Sequence, residues 1–354
     1  MKPLISIIIV NYNGVALLKE CLQSILKNNY SNFEIIVVDN ASIDNSCQMI
    51  KKFFKKNLHK IQIIKLSKNF GPSFARNQGV KKSRGVYLCF LDNDTQVDKN
   101  WIQPAIEIFK KNPQVGAIQS KLLLIENKNK IDYVGEYIGQ QGFLKAIGKY
   151  GEIDHHQYDQ TKYILAAKSA GMFITKTAFL KSGRFDPDYF IFLEESDLGW
   201  RLWLNNFKVV FCPKSIVYHH FSSTKNIVDP DFNNYLIRFH GTKNYIQTLI
   251  KNLERKNLIK IVPIHIFLWF CLATFLLFTG KYKSGLNIYK GIFWNFNHLK
   301  QILKKRKIIQ NKRKVSDNQL FVKNHLMVKT NIINYIKKFF ESQKNNITPE
   351  TQQK

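Results

Sequence analysis

Runs of apolar residues alternate with segments of helical periodicity over the first hundred residues of the chain. The apolar runs are rich in β-branched residues, as expected of strands buried on both faces. The segments between them repeat apolar residues every three or four positions, as amphipathic helices do. Such alternation with short turns is typical of parallel βαβ units in a doubly wound sheet. We predict strands at 4–10, 34–38, 60–66 and 86–91, and helices at 15–26, 46–54 and 74–81.

The pattern is less regular between residues 113 and 230, where we expect the same unit to continue as mixed α/β structure. We predict one helix and two short strands here, at 195–206, 208–211 and 215–220. The sequence therefore predicts one domain over 1–230, built from halves at 1–112 and 113–230.

Beyond residue 230 the chain becomes helical and basic, and we predict a separate region over 231–344 followed by a disordered polar tail over 345–354. Segment 261–278 carries no charged side chain and is about as long as the shortest membrane spans. Lysines flank it on both sides, which disfavours sending either flank across a membrane. We favour a segment that lies in the membrane interface or enters it as a re-entrant hairpin. A true span and an ordinary buried helix are the open alternatives.

The charge of the chain is unevenly distributed. It holds 54 Lys and Arg against 25 Asp and Glu, a net charge of +29, and residues 225–354 hold 24 of the basic but only 6 of the acidic residues. Such an excess indicates an anionic partner, although a Lys- and Asn-rich composition also arises from mutational bias. Basic clusters lie close to the uncharged segment, so we expect an anionic membrane surface to bind 255–314, and no nucleic acid. The five cysteines are scattered and indicate neither a zinc site nor a disulfide framework.

Polar side chains follow the predicted strands where each strand ends. Asn11, Asp39 and Asn69 follow the first three strands, and Asp92 with Asp94 follows the fourth. Ligands of doubly wound sheets bind beyond the carboxyl ends of the strands, so we expect these side chains to share one site. Two carboxylates two residues apart can reach one hard cation such as Mg²⁺ or Mn²⁺. An Asx turn with solvated acids is the alternative for this short pattern.

Five sequence blocks follow one another in the chain: ISIIIVNYNG, EIIVVDNASIDNS, NFGPSFARNQGV, YLCFLDNDTQVD and FIFLEESDLGWRLW. Together they resemble family 2 glycosyltransferases of the GT-A fold, most of all bacterial rhamnosyltransferase-type enzymes of surface-polysaccharide assembly. The resemblance covers roughly residues 4–224. It implies a Rossmann-like mixed sheet flanked by helices, with a nucleotide-sugar-binding half at 1–112 and an acceptor-side half at 113–230.

The resemblance also implies a nucleotide-sugar site at matching positions. These positions are Val10, Asn11, Tyr12, Asp39, Arg76, Asp92, Asn93 and Gly171. The guanidinium of Arg76 can meet a phosphate or a nucleobase edge, and a structural ion pair is the open alternative. Ser42 and Asp44 are weaker candidates, because their residue types are more typical of helix N-caps.

A divalent cation, Mg²⁺ or Mn²⁺, is implied by the same resemblance. Asp94 matches the principal ligand, and Asp92 matches a residue at the ribose or the metal. A histidine after a late strand can complete the site, and His219 and His220 both stand there. Register favours His219, with a buried structural histidine as the alternative for either.

The acids Glu194, Glu195 and Asp197 match the family's catalytic block, and we assign all three to the predicted catalytic set. The second acid of the pair, here Glu195, corresponds to the general base, and Asp197 to a position that caps or organises the following helix. The chain has Glu where Asp is more common, which lengthens the reach by one methylene. Crowding raises the pKa of at least one acid, as a general base requires. A solvated acidic helix start is the alternative.

We therefore expect an inverting, metal-dependent glycosyltransferase. The expected donor is a UDP- or dTDP-sugar, with dTDP-rhamnose first among them, and the expected acceptor is a lipid-linked saccharide at the cytoplasmic face of a bacterial membrane. One alternative is a basic membrane- or nucleic-acid-binding protein with a degenerate transferase domain. Another is a nucleotidyltransferase, but the Gly-rich, Lys-containing loop that this would need is missing from NYNGVALL.

Overall fold

The structure, a computed structural model, describes residues 2–220 and 230–329, and in the second range it describes side chains from residue 237 onward. The tail predicted to be disordered lies outside the described residues. Strands and helices alternate through the first hundred residues as predicted, and each lies within two residues of its predicted bounds. These elements are β1 Ile5–Asn11, α1 Val15–Leu26, β2 Phe33–Asp39, α2 Ser46–Phe53, β3 Ile61–Lys65, α3 Pro72–Lys82 and β4 Tyr87–Asp92.

The first four strands form the parallel half of one large sheet, in the order β3, β2, β1, β4. The side chains of β1, β2 and β4 are mostly buried on both faces, as the β-branched runs predict. β3 lies at the edge of the sheet, and its Gln62 and Lys65 are exposed. In this register Asn11 lies opposite Asp39, and Val10 lies opposite Asp92. The carboxyl ends of β1, β2 and β4 therefore meet at one edge of the sheet, where the sequence predicts the site.

The second half of the sheet is mixed. Its elements, and those of a small separate sheet, are β5 Thr95–Val97, α4 Ile102–Lys111, β6 Val115–Leu124, β7 Ile131–Tyr133, β8 Glu136–Gly139, β9 Leu144–Ala146, β10 Lys162–Tyr163, β11 Met172–Thr175, α5 Lys176–Lys181, α6 Glu194–Leu204 and β12 Lys208–His219. β11 is antiparallel to both β4 and β6, and β12 is parallel to β6. β12 is one strand where the sequence predicts two, because pairing resumes after an irregularity between Cys212 and Ile216 that contains Pro213. Proline lacks the N–H that a ladder needs and occurs in sheets at such bulges.

The C-terminal helices share a core with the sheet. They are α7 Pro230–Asn252, α8 Arg255–Phe278, α9 Tyr282–Asn297 and α10 Leu299–Lys312, followed by a short strand, β13 Met327–Val328. Leu249, Leu253 and Phe321 belong to the same buried apolar cluster as Ile8 and Phe90 of the sheet. The described part of the region predicted at 231–344, which ends at residue 329, thus packs on the sheet unit as a continuation of it.

Helix α8 contains the uncharged segment and is buried along one face only. His265 and Trp269 are buried, while Phe267 and Phe270 are exposed. At 24 residues, α8 is long and apolar enough to cross a membrane, yet 39% of its most apolar window is buried inside the molecule. Nδ1 of His265, near the middle of the helix, donates a hydrogen bond of 2.8 Å to the carbonyl oxygen of Gln141 in the sheet unit. This contact with the sheet unit favours the interfacial position over a span.

Candidate active site

Asp92, Asp94 and His219 come together at the carboxyl edge of the sheet. Asp92 ends β4, Asp94 lies in the turn to β5, and His219 ends β12, which pairs with β5. Each can offer one ligand atom, and these atoms lie within 4.8 Å of one another. Two carboxylate oxygens and one imidazole nitrogen form a donor set that suits Mn²⁺ or Mg²⁺. The cluster therefore fits the divalent cation that the sequence predicts.

The ring of His219 is oriented by Asp132, a residue that the sequence analysis does not identify. Nδ1 of His219 lies 2.8 Å from Oδ2 of Asp132 in β7, and Nε2 lies 3.4 Å from Oδ1 of Asp94. Burial lowers the pKa of His219, but the hydrogen bonds with Asp132 and Asp94 outweigh burial and raise it to about 10, so a cation that binds Nε2 would displace a proton from it. A carboxylate behind a histidine commonly fixes the tautomer of a metal ligand. The ring of His220 turns instead to Glu126, at 3.0 Å, so His219 is the histidine that faces the acid cluster.

Arg76 links the acids of this cluster to the acids of α6. It is 4% exposed. Its guanidinium lies 2.9 Å from Asp92, 2.8 Å from Glu194 and 3.9 Å from Glu195. The structure thus shows the ion-pair alternative for Arg76, with both terminal nitrogens directed at carboxylates. One buried cation among three acids offsets the repulsion that would otherwise drive them apart.

The two acids that begin α6 have different surroundings. Glu194 is buried against Arg76, whereas 19% of the Glu195 side chain is exposed. Burial and the charge of Glu195 raise the pKa of Glu194 to about 7, against the opposing effect of Arg76. Oε1 of Glu195 accepts hydrogen bonds from the backbone N–H of Ser169, at 3.0 Å, and from its hydroxyl. Glu195 is therefore the acid that is both oriented and open to a substrate. Ser169 has no signal in the sequence, because a lone serine before a strand carries no motif.

Asp197, the third acid of the predicted catalytic set, is fully enclosed. Its carboxylate pairs with Arg201 at 2.7 Å and with Lys251 at 3.0 Å, and the amide of Asn252 donates to it at 2.9 Å. These contacts fit the organising role predicted for Asp197, and a catalytic role stays a prediction.

The positions predicted to hold the nucleotide lie around the same edge of the sheet. Oδ1 of Asn11 accepts a hydrogen bond of 2.8 Å from the amide of Asn93. A Cβ at Gly14 would lie 2.2 Å from that amide nitrogen, so the glycine of NYNG makes room for the bond. Asp39 ends β2 and is 5% exposed, and Tyr12 in the loop after β1 is 40% exposed. Their roles at a nucleotide stay predictions.

Two further candidates have a structural explanation. A Cβ at Gly171 would lie 2.8 Å from Leu122 and 3.2 Å from Ser120, so glycine is needed there for packing on the sheet. Its role at a donor sugar stays a prediction. Asp44 accepts hydrogen bonds from the backbone N–H groups that begin α1 and α2, which is the capping alternative.

Comparison with known proteins relates this geometry to a family and a fold. Residues 6–174 match the family model of glycosyl transferase family 2. Over 214 residues the chain is 28% identical to the poly-β-1,6-N-acetyl-D-glucosamine synthase of Staphylococcus epidermidis, a match that covers 60% of this chain and 49% of that protein. The chain thus spans about half the length of the curated relatives it matches.

Two solved structures are similar in fold, each with a TM-score of 0.52. GalNAc-T7, solved with UDP, GalNAc and Mn²⁺, is 18% identical, and the match covers 68% of this chain and 51% of that one. The mannosyltransferase PcManGT from Pyrobaculum calidifontis, solved with GDP-Man and Mn²⁺, is 12% identical, and the match covers 88% and 86%. At such identities the likeness establishes the fold, and the predicted GT-A architecture is confirmed.

Proposed function

Residues 6–174 belong to glycosyltransferase family 2, and we propose that the chain is an inverting, metal-dependent glycosyltransferase with Glu195 as its general base. The observation that carries the proposal is the link through Arg76. It joins a cluster suited to a divalent cation to an oriented carboxylate that is open to a substrate. Transfer from a nucleotide sugar needs both, because a diphosphate must leave and a hydroxyl must lose its proton.

In the proposed reaction Glu195 takes the proton of an acceptor hydroxyl while the hydroxyl oxygen bonds to the anomeric carbon from the face opposite the nucleotide. The bond from that carbon to the diphosphate oxygen breaks, and the nucleoside diphosphate leaves with the electron pair. The configuration inverts, and no covalent intermediate forms. Ser169 orients Glu195, and Arg76 balances the charge of the neighbouring acids.

Asp94, Asp92 and His219 would hold the divalent cation. When bound, the cation supplies positive charge that offsets the charge developing on the departing diphosphate.

We propose a UDP- or dTDP-sugar as the donor. The carboxylate of Asp39, at the end of β2, can accept a hydrogen bond from a pyrimidine N–H or from a ribose hydroxyl. The resemblance to rhamnosyltransferase-type enzymes makes dTDP-rhamnose one sugar to test. The name of the Staphylococcus epidermidis relative makes UDP-N-acetylglucosamine another.

We propose a lipid-linked saccharide as the acceptor, met at the cytoplasmic face of a bacterial membrane. The support is a set of exposed large apolar side chains on α8 and α9, which we call the apolar face: Phe267, Phe270, Leu286, Phe293 and Phe296. Basic residues lie at the ends of these helices and along α10. Apolar side chains beside lysines suit an interfacial position on anionic lipid, where each basic residue contributes about 1 kcal/mol.

The rival function, a basic binding protein with a degenerate transferase domain, accounts for the net charge of +29. It gives no reason for an oriented, partly exposed Glu195 or for the carboxylate that fixes His219. We therefore propose the enzyme.

The test incubates the 354-residue chain with Mn²⁺ and each donor, and measures released nucleoside diphosphate. We expect slow release from at least one donor, and a loss of about 10²- to 10⁴-fold in Glu195→Gln, which keeps the volume but removes the base.

The matched control is Glu34→Gln. Glu34 is also a buried acid, but it lies at the far end of β2, where it accepts hydrogen bonds from Ser6 and Arg84. Its turnover should stay within about twofold of wild type, because it lies away from the site. Release from no donor, or equal activity of the two variants, would contradict the proposed function.

A further inference from the structure

The backbone that leads into the acid pair is strained. Phe190, Phe192 and Leu193 have φ values of +57°, +69° and +62°. Bulky side chains rarely adopt such values, which persist only where the surroundings hold them. We call residues 187–193 the acid loop. Because Glu194 and Glu195 follow it directly, its path sets where α6 begins.

One side chain of α7 binds three carbonyl groups of the acid loop. Nδ2 of Asn244 lies 2.8 Å from the carbonyl oxygens of Ile191 and Phe192, and 3.1 Å from that of Tyr189. Its two N–H groups serve three acceptors, so one N–H is shared. Gln247 donates to Oδ1 of Asn244 at 2.8 Å, which fixes the amide with its nitrogen toward the loop.

Other residues of α7 hold the beginning of the acid loop. The hydroxyl of Thr248 lies 2.6 Å from that of Tyr189, and Nζ of Lys243 donates to the carbonyl oxygen of Asp188 at 2.6 Å. Asn244 differs from them because it reaches Phe192, two residues before Glu194. It therefore holds the strained part of the loop that adjoins the acids.

We propose that Asn244 is a positioning residue for sugar transfer, which holds the acid loop in its strained path and thereby aims Glu195 at the acceptor. The inference rests on the proposed function for the identity of the base. Without the amide, the loop can relax to ordinary φ values, and the first turn of α6 moves with it. A misplacement of about 1 Å can lower a rate about 100-fold. The residues of the cation cluster lie on β4, in the turn after it and on β12, away from the acid loop, so nucleotide binding should not change.

The test compares Asn244→Ala with a matched control, Asn295→Ala. Asn295 of α9 is also buried, but its amide bonds to the carbonyl oxygens of Lys243 and Gly291 and not to the acid loop. We expect the kcat of Asn244→Ala to fall at least about tenfold, with the donor KM and Mn²⁺-dependent UDP binding within about twofold of wild type. The kcat of Asn295→Ala should stay within about twofold of wild type, although both variants lose a buried hydrogen-bonding group.

Hydrogen–deuterium exchange of the same variants gives a second measurement that does not depend on activity. Amides of 189–196 should exchange faster in Asn244→Ala and not in Asn295→Ala. If Asn244→Ala does not fold, Asn244→Leu replaces it, since leucine keeps the volume and favours a helix. Equal turnover of the two variants, or unchanged exchange in the loop, would overturn the inference. A wild-type chain that turns over no donor would overturn the proposed function, and exchange would still decide whether Asn244 holds the loop.

Discussion

Buried acids at the sheet edge and buried acids against the C-terminal helices have opposite electrostatic surroundings. At the sheet edge, burial and the charge of Glu195 raise the pKa of Glu194 to about 7 although Arg76 lies beside it. Against the helices, Lys251 and Lys305 outweigh burial and hold the pKa of Asp186 well below its usual range. The charge of the acids in the proposed site is thus compensated only in part, and the charge of the acids that join two regions of the fold is compensated fully.

The basic residues of the C-terminal region also fall into two groups, those that contact the rest of the molecule and those that are exposed. Arg306 and Arg313 donate to carbonyl groups at or just beyond the end of α7, and Lys305 lies 2.5 Å from both Asp186 and Asp188. Part of the basic excess therefore stabilises contacts within the molecule. Exposed lysines of α10, such as Lys300, Lys304 and Lys307, are the ones that the proposed membrane contact would use.

The largest effect should come from breaking the charged contact between the two regions. Lys251 is 1% exposed and lies 2.8 Å from Asp186 and 3.0 Å from Asp197. Lys251→Met keeps the length but leaves these acids short of a cation, so the free energy of unfolding in urea should fall by about 3–5 kcal/mol. Lys300→Met, on an exposed position of α10, should change it by less than about 0.5 kcal/mol. If Lys251→Met unfolded in two separate transitions and the transition of the sheet unit were unchanged, the sheet unit and the C-terminal helices would be independent.

A smaller effect should follow from pH at the contact of α8. Nδ1 of His265 donates to the carbonyl oxygen of Gln141, and Nε2 accepts a hydrogen bond of 2.9 Å from Trp269. Both nitrogens of the neutral ring therefore have a hydrogen-bond partner. Burial lowers the pKa of His265 from 6.5 to about 4. The unfolded chain then binds more protons, and the contribution of His265 to stability is lost as pH falls from about 6.5 toward 4. Between pH 7 and 5 the loss should be about 2 kcal/mol.

The measured quantity is the difference in unfolding free energy between wild type and His265→Gln, because Glu194 titrates in the same window with the opposite sign. That difference should move by about 2 kcal/mol in favour of the variant from pH 7 to pH 5. A difference that does not change with pH would show that His265 is not held neutral.

The smallest effect concerns the apolar face. Deleting 255–314 would remove Arg306 and uncover the end of α7, so a point substitution is the sharper test. Phe267 is 63% exposed, and Phe267→Ser should weaken binding to anionic vesicles about tenfold in a sedimentation assay. Phe53→Ser, at a position 57% exposed on α2, should leave binding unchanged. Equal binding of both variants would exclude the apolar face as the membrane contact.

The strands and the acids at their ends could be predicted because their signals are local. Apolar runs, a polar residue at the end of each run, and the spacing of Asp92 and Asp94 all lie within a few positions of one another. The contact between the regions has no such signal. Asn244 is 52 residues from Phe192, and Lys251 is 65 residues from Asp186. Nothing in the helical pattern of α7 distinguishes them from neighbouring polar residues.

The separation of Asp197 from Glu195 has a simple geometric cause. Two positions along an α-helix correspond to a rotation of about 200° around its axis. Asp197 therefore lies on the side of α6 opposite Glu195. Their spacing in the sequence predicts that the three acids form one cluster. In the structure the helix directs Asp197 away from the other two. Asp132 has no sequence signal for a different reason: a single acid in a three-residue strand has no pattern around it.

Calorimetric titration with UDP and dTDP, with and without Mn²⁺, tests the central claim most directly. We expect the wild-type chain to bind at least one of them in a Mn²⁺-dependent manner, because Asp92, Asp94 and His219 form the cation cluster. Asp94→Ala should lose at least about tenfold in that affinity, while Glu195→Gln should keep it. An affinity for UDP and dTDP that does not depend on Mn²⁺, or an Asp94→Ala variant with wild-type affinity, would contradict the proposed cation site.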